Sequence, residues 1–130
     1  MSISIKSRKA KARTLQNWVA SKISELLNIP WGKDKQIQGR EMGQSGVDIK
    51  LLGETLSLFP YSIECKNTET WNVLDAIKQV KANQLEGTDW LVFLKKNRHE
   101  EIVIMNAEKF FELYKKVLKK KKSKPQTKEN

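Results

Sequence analysis

One cysteine and one histidine in 130 residues leave little room for thiol or zinc chemistry. Cys65 alone cannot close a disulfide within the chain. Together with His99 it falls short of the four ligands a structural zinc motif needs. The single His99 also argues against a histidine-rich nuclease centre. Three prolines and six glycines are too few for a collagenous chain, and 38% hydrophobic with 31% charged residues suits one compact soluble domain rather than a fully disordered chain. No apolar run approaches the roughly 20 residues a membrane helix needs. The segment MSISIKSRKAKAR has cations but no apolar stretch after them, so no secretory signal is expected and the expected compartment is the cytosol.

Acid is missing from both ends. Residues 1–13 hold Lys6, Arg8, Lys9, Lys11 and Arg13 without a single carboxylate side chain. Residues 119–130 hold six lysines against Glu129. The body, 14–118, keeps 14 basic and 14 acidic residues, so the net +10 sits entirely in the ends. Such ends bind polyanions by releasing counterions from a phosphate backbone. A lysine tail can also be no more than a solvated, frayed end. The organisation read from this is a basic N-terminal segment (1–13) leading into the first helix, a domain over 14–118, and a disordered lysine-rich tail (119–130).

Periodicity predicts a helix from about 8 to 28, with Leu15, Trp18, Val19, Ile23, Leu26 and Leu27 on one stripe. Asn28-Ile29-Pro30 ends it, because the residue before proline is pushed out of the helical region. Gln36-Ile37-Gln38 is a weak strand. Val47 to Leu51 and Tyr61 to Lys66 alternate apolar and polar as strands do, and Ser57 to Pro60 between them reads as a turn or a short irregular segment. A second helix covers about 72–86. Trp90 to Leu94 is an apolar run expected in the sheet interior, Ile102 to Met105 is a further strand, and Asn106 caps a last helix carrying Phe110, Phe111, Tyr114, Val117 and Leu118. The expected class is α/β, a mixed central sheet flanked by helices.

Polar residues interrupt two of the strands in one pattern. Asp48 and Lys50 share a strand face, and so do Glu64 and Lys66. If the two strands are neighbours, two carboxylates converge near a lysine. Mg²⁺ favours such oxygen-rich sites, keeps several waters, and can polarise a phosphate oxygen. The lysine can orient or deprotonate a water, or offset charge on the phosphate. The rival triplet Asp48-Ile49-Lys50 would need Asp34 or Glu41 as its second acid. The plain alternative is a cross-strand salt-bridge set on a solvated face.

Asp48 followed by Glu64-Cys65-Lys66, in this order of elements, resembles the PD-(D/E)XK nuclease superfamily over roughly residues 8–106. The segments RTLQNWV, MGQSGVDIK, LFPYSIECKN and the helix with Gln79 and Asn83 resemble small phage-type endonucleases similar to Holliday junction resolvases. The resemblance implies a restriction-endonuclease-like αβββαβ core and a DNA endonuclease using Mg²⁺, with Mn²⁺ able to substitute. It implies Asp48, Glu64 and the backbone carbonyl of Cys65 as metal ligands and Lys66 as the catalytic lysine. It further implies a homodimer acting on branched or duplex DNA, and a part for Gln79 beside Lys66 or on DNA.

The superfamily often adds a Glu from the first helix. Here Gln16 lies roughly 70° from the centre of the apolar stripe and Glu25 about 110° away on the other flank. Gln16 is the better placed, and an amide there departs from the usual acid. The residues expected to contact DNA are Lys9, Lys11, Arg13, Ser45, Asn67, Lys119 and Lys120. Cys65 reads as a small core residue rather than a nucleophile, and His99 as a surface residue. Trp31 and Trp71 sit in loop-like segments, where each can stack on an unpaired base or pack at the core edge. The alternative function is a non-catalytic nucleic-acid-binding module on the same fold, or an accessory factor that binds RNA or protein.

Overall fold

The computed structural model describes residues 4–41 and 45–123, the side chain of residue 123 excepted. Helix α1 (Ile5–Leu27) starts three residues earlier than the periodicity suggests, because Ser4 caps it by accepting the Ser7 amide N–H at 3.1 Å. It ends at Asn28, whose left-handed backbone (φ 58°) lets its N–H reach the Ser24 carbonyl. Strand β1 (Ile37–Gly39) pairs antiparallel with β2 (Ile49–Leu51), Gly39 opposite Ile49. A short helix, α2 (Glu54–Leu58), replaces the expected turn. Strand β3 (Tyr61–Asn67) runs parallel to β4 (Asp89–Lys95), with α3 (Val73–Ala82) as the crossover, and β5 (Ile102–Met105) pairs antiparallel with β4.

The protein is thus mixed α/β with a small mixed sheet between helices. The expected single sheet is divided in two, β1-β2 and β3-β4-β5. They meet at Asp48, whose main-chain N–H donates to the Ile63 carbonyl at 2.9 Å and whose carbonyl accepts from Arg40 at 2.7 Å. Asp48 therefore stands just before β2 rather than within it.

Two apolar clusters clamp the larger sheet. Leu15, Val19, Ala20 and Ile23 of α1 pack on Ile37, Ile49, Ile63, Cys65 and Leu91. Each large aliphatic buried here is worth about 1.5–3 kcal/mol relative to exposure. On the other face, Ala76 and Val80 of α3 pack on Val92 and Leu94 of β4. Glu64 lies opposite Val92 in the parallel register, so it shares the face covered by α3.

The last helix, α4 (Ala107–Ser123), corrects the expected tail. Lys119 to Lys122 are helical, because lysine is a good helix former and suits the negative end of the helix dipole. Residues 124–130 lie outside the described residues. The apolar arc of α4 is not buried: Phe110, Phe111, Leu113, Tyr114, Val117 and Leu118 are all exposed. Among the described residues no helix is long and apolar enough to cross a membrane.

Candidate active site

Alternation along β3 sends Ile63 and Cys65 under α1 and Ser62, Glu64 and Lys66 to the other face. Ser62, Glu64 and Asp48 are all buried, so the acids do not lie on a solvated sheet face. Lys66 is half-buried and its Nζ sits 3.3 Å from Glu64 Oε2. Asp48 Oδ2 accepts the Cys65 backbone N–H at 2.7 Å. Its other oxygen, Oδ1, accepts from the Arg40 guanidinium at 2.9 Å.

Burial raises the Asp48 carboxyl above its ordinary pKa, against the opposing pull of the Cys65 N–H, Arg40 and Lys66. Burial also raises Glu64, and the nearby Asp48 charge raises it further, with Lys66 pulling the other way. Two buried acids, one of them raised further by the charge of the other, make a standing demand for positive charge. Burial, then Asp48 and Glu64, push the Cys65 thiol well above its ordinary value. That fits a core cysteine and not a nucleophile.

Arg40 is the member that sequence reading missed. It follows β1, and the β1-β2 register places it across from Asp48. The only available signal was that a hairpin joining Ile37–Gly39 to Ile49–Leu51 would bring position 40 to position 48. Gln36-Ile37-Gln38 was too short a pattern to fix that register.

The other expected residues divide. Gln16 is half-buried and lies over Gly39, where an added Cβ would meet its Oε1 at 3.2 Å. It lines one cleft with Arg40. Glu25 is a surface acid 3.9 Å from Lys22. Of the rival triplet's residues, Lys50 is exposed opposite Gln38, Asp34 is exposed in a turn, and Glu41 is exposed next to Arg40. Ser45 lines a smaller cleft of about 230 Å³ with Arg40, Gly46 and Lys50. Asn67 and Lys11 are tied into the fold: the Asn67 amide donates to the Lys11 carbonyl at 2.8 Å, and Lys11 Nζ pairs with Glu69 at 2.9 Å. Gln79 is half-buried on α3, its amide 3.4 Å from Asp75. Lys9, Arg13, Lys119 and Lys120 have exposed side chains. His99 is exposed in the β4–β5 turn.

Asp48, Glu64 and the main chain at Cys65 offer the oxygen donors a hard divalent cation prefers, with water completing its shell. Among the described residues no cluster of three or more His, Cys, Asp or Glu side chains forms. A cation here would rest on two carboxylates plus main-chain and water oxygens. It would share Asp48 with Arg40 or displace it. The donor set fits Mg²⁺ better than a soft metal, since the Cys65 thiol is turned into the core. Comparison with family models, curated proteins and solved structures finds no match.

Proposed function

We propose that this chain is a Mg²⁺-dependent DNA endonuclease of the PD-(D/E)XK kind, with a restriction-endonuclease-like core, selective for branched DNA as a Holliday junction resolvase is. The observation that carries the reading is the pair of buried carboxylates, Glu64 raised by the Asp48 charge, with Lys66 beside Glu64. Asp48, Glu64 and the Cys65 carbonyl would hold Mg²⁺, or Mn²⁺ in its place. When bound, the cation supplies Lewis acidity to a phosphate oxygen and acidity to a water.

The chain's own groups account for the rest. Arg40 and the Cys65 N–H fix the Asp48 carboxylate from two sides. Lys66 can orient the attacking water, exchange a proton with it, or offset charge developing on the phosphate. The lysines of α4 and the cations of α1 hold flanking backbone without reading bases. A homodimer would present two such sites to two strands of one branch.

The test is a cleavage gel with labelled four-way junction, flap, duplex and single strand, with and without Mg²⁺. Metal-dependent nicking that is strongest on a branched substrate is expected. No cleavage of any substrate with either Mg²⁺ or Mn²⁺ would sink the reading.

One observation favours a second reading. Both carboxylates already have cations from the chain itself, Arg40 on Asp48 and Lys66 on Glu64. A site neutralised internally could serve a module that binds nucleic acid and does not cut it. In that case DNA affinity would be measurable while the melting temperature and cleavage both ignored Mg²⁺.

A further inference from the structure

The two loop tryptophans have different fates. Trp71 is half-buried, its indole N–H donates to the Lys95 carbonyl at 3.2 Å, and Lys96 covers its ring at 5.0 Å. Trp31 is 37% exposed, and among the described residues no ring or cation stacks on it. A flat aromatic face at the surface is able to stack on a nucleobase.

Trp31 forms one wall of a cleft of about 670 Å³ between α1 and the end of β1. Arg13 and Gln16 come from one face of α1, Arg40 from the end of β1, and Lys33 from the turn beside Trp31. Among the described residues lining it, Glu41 is the one acid, against the three cations Arg13, Lys33 and Arg40. Gly39 forms part of the lining, and any side chain there would press on Gln16. The volume is that of a small-molecule site. The contents, a flat aromatic face, side-chain amides and a surplus of cations, match a base joined to a phosphate. Arg40 belongs to this cleft and also bonds Asp48. Whatever occupies the cleft is therefore one residue away from the buried carboxylates.

We propose that this cleft holds one unpaired nucleotide of a DNA strand, its base against Trp31 and its phosphate on Arg13 and Lys33. Resting on the nuclease reading, this names the substrate feature selected: a nucleotide released from pairing beside the bond to be cut. Intact duplex cannot present a base to a side cleft without unstacking it, which costs energy that a flap or branch point has already spent.

The test needs neither metal nor cleavage. A short single-stranded oligonucleotide carrying 2-aminopurine is titrated with the full chain in EDTA. Stacking on Trp31 is expected to change the 2-aminopurine emission at saturating protein. Trp31→Ala should abolish that change and weaken binding about tenfold, in keeping with base–aromatic stacking. Trp31→Phe should recover most of the affinity. Circular dichroism confirms that each variant is folded. Two outcomes overturn the proposal: an emission change that survives in Trp31→Ala at saturation, or equal affinities for the Ala and Phe variants. Failure of the nuclease reading shows separately, as absence of Mg²⁺-dependent cleavage by the parent chain.

Discussion

The two ends of β3 bury polar groups in opposite ways. At the first end, Ser62 is fully buried and its hydroxyl is closed into a network. Its Oγ accepts the Leu85 N–H at 2.9 Å and meets Thr88 Oγ1 at 2.7 Å, while Thr88 donates to the Leu85 carbonyl at 2.6 Å. Toward the other end, Glu64 in mid-strand, with Asp48 from the segment before β2, is held by Lys66 and Arg40 respectively, and burial raises both acids above their ordinary values. A satisfied buried hydroxyl stabilises the fold. A pair of strained buried acids stabilises nothing by itself and invites an added cation. Within one strand, position decides whether polarity is structural or chemical.

The largest effect should come from breaking the second end. Asp48→Ala, Glu64→Ala and Lys66→Met are each expected to lower single-turnover cleavage on the order of 10²–10³-fold or more. The fold and DNA binding should be retained. Lys66→Arg should rescue poorly, since guanidinium stays charged and is broad and planar. Cleavage within a few-fold of the parent in these variants would return the site to a plain ion-pair set.

Breaking the first end should do the reverse. Ser62→Ala strands the Leu85 N–H and the Thr88 hydroxyl partner, and should cost about 2 kcal/mol in urea unfolding. Cleavage per folded molecule should not move. A variant as stable as the parent would show that the network is dispensable.

A smaller effect sharpens the contrast through pH. A carboxyl raised in the fold binds its proton more readily there than in the unfolded chain, so charged Glu64 costs stability at neutral pH. Glu64→Gln should therefore raise the melting temperature at neutral pH, at the expense of activity. The gain should shrink as pH falls through the raised carboxyl range, where the parent's acid becomes neutral as well. Mg²⁺ should raise the parent's melting temperature and leave Glu64→Gln unmoved. A gain that persists unchanged to acid pH would mean the charge was never the cost.

The smallest change leaves both ends of β3 untouched. Removing residues 119–130 takes away five units of net positive charge. It should weaken DNA binding modestly and flatten its salt dependence, with the rate at saturating DNA preserved. An unaltered salt slope would mean these lysines never meet phosphate.

Much of this was legible because strand alternation is local. The faces of Ile63 and Cys65 against Ser62, Glu64 and Lys66 follow from a period of two, and the apolar stripe of α1 follows from 3.6. Gln16 over Glu25 was legible from the same helical geometry. What depended on pairing between distant segments was not. Arg40 reaches Asp48 only through the β1-β2 register, and the division of the sheet at Asp48 leaves no mark in composition. Ser62 looked like any polar strand residue, since its partners Leu85 and Thr88 lie beyond a helix. The apolar residues of α4 are legible in the sequence, yet their presence says only that the helix carries apolar side chains. It does not supply the surface that would cover it.

That bare helix has a consequence for how the molecule wears. From Phe110 to Lys122 every side chain of α4 is exposed, and Lys109 ties the helix to the body through Asp89 at 3.7 Å. A solitary helix of 17 residues is marginal in water, so α4 is expected to open more readily than the sheet. Each unwinding offers trypsin a row of lysines, whereas Lys66 is offered only when β3 itself comes apart. Mild digestion should shorten the chain stepwise from its basic end and halt near β5. The speed of that trimming then becomes a footprint: any polyanion seated on those lysines should slow it, and the clock can be read on a gel.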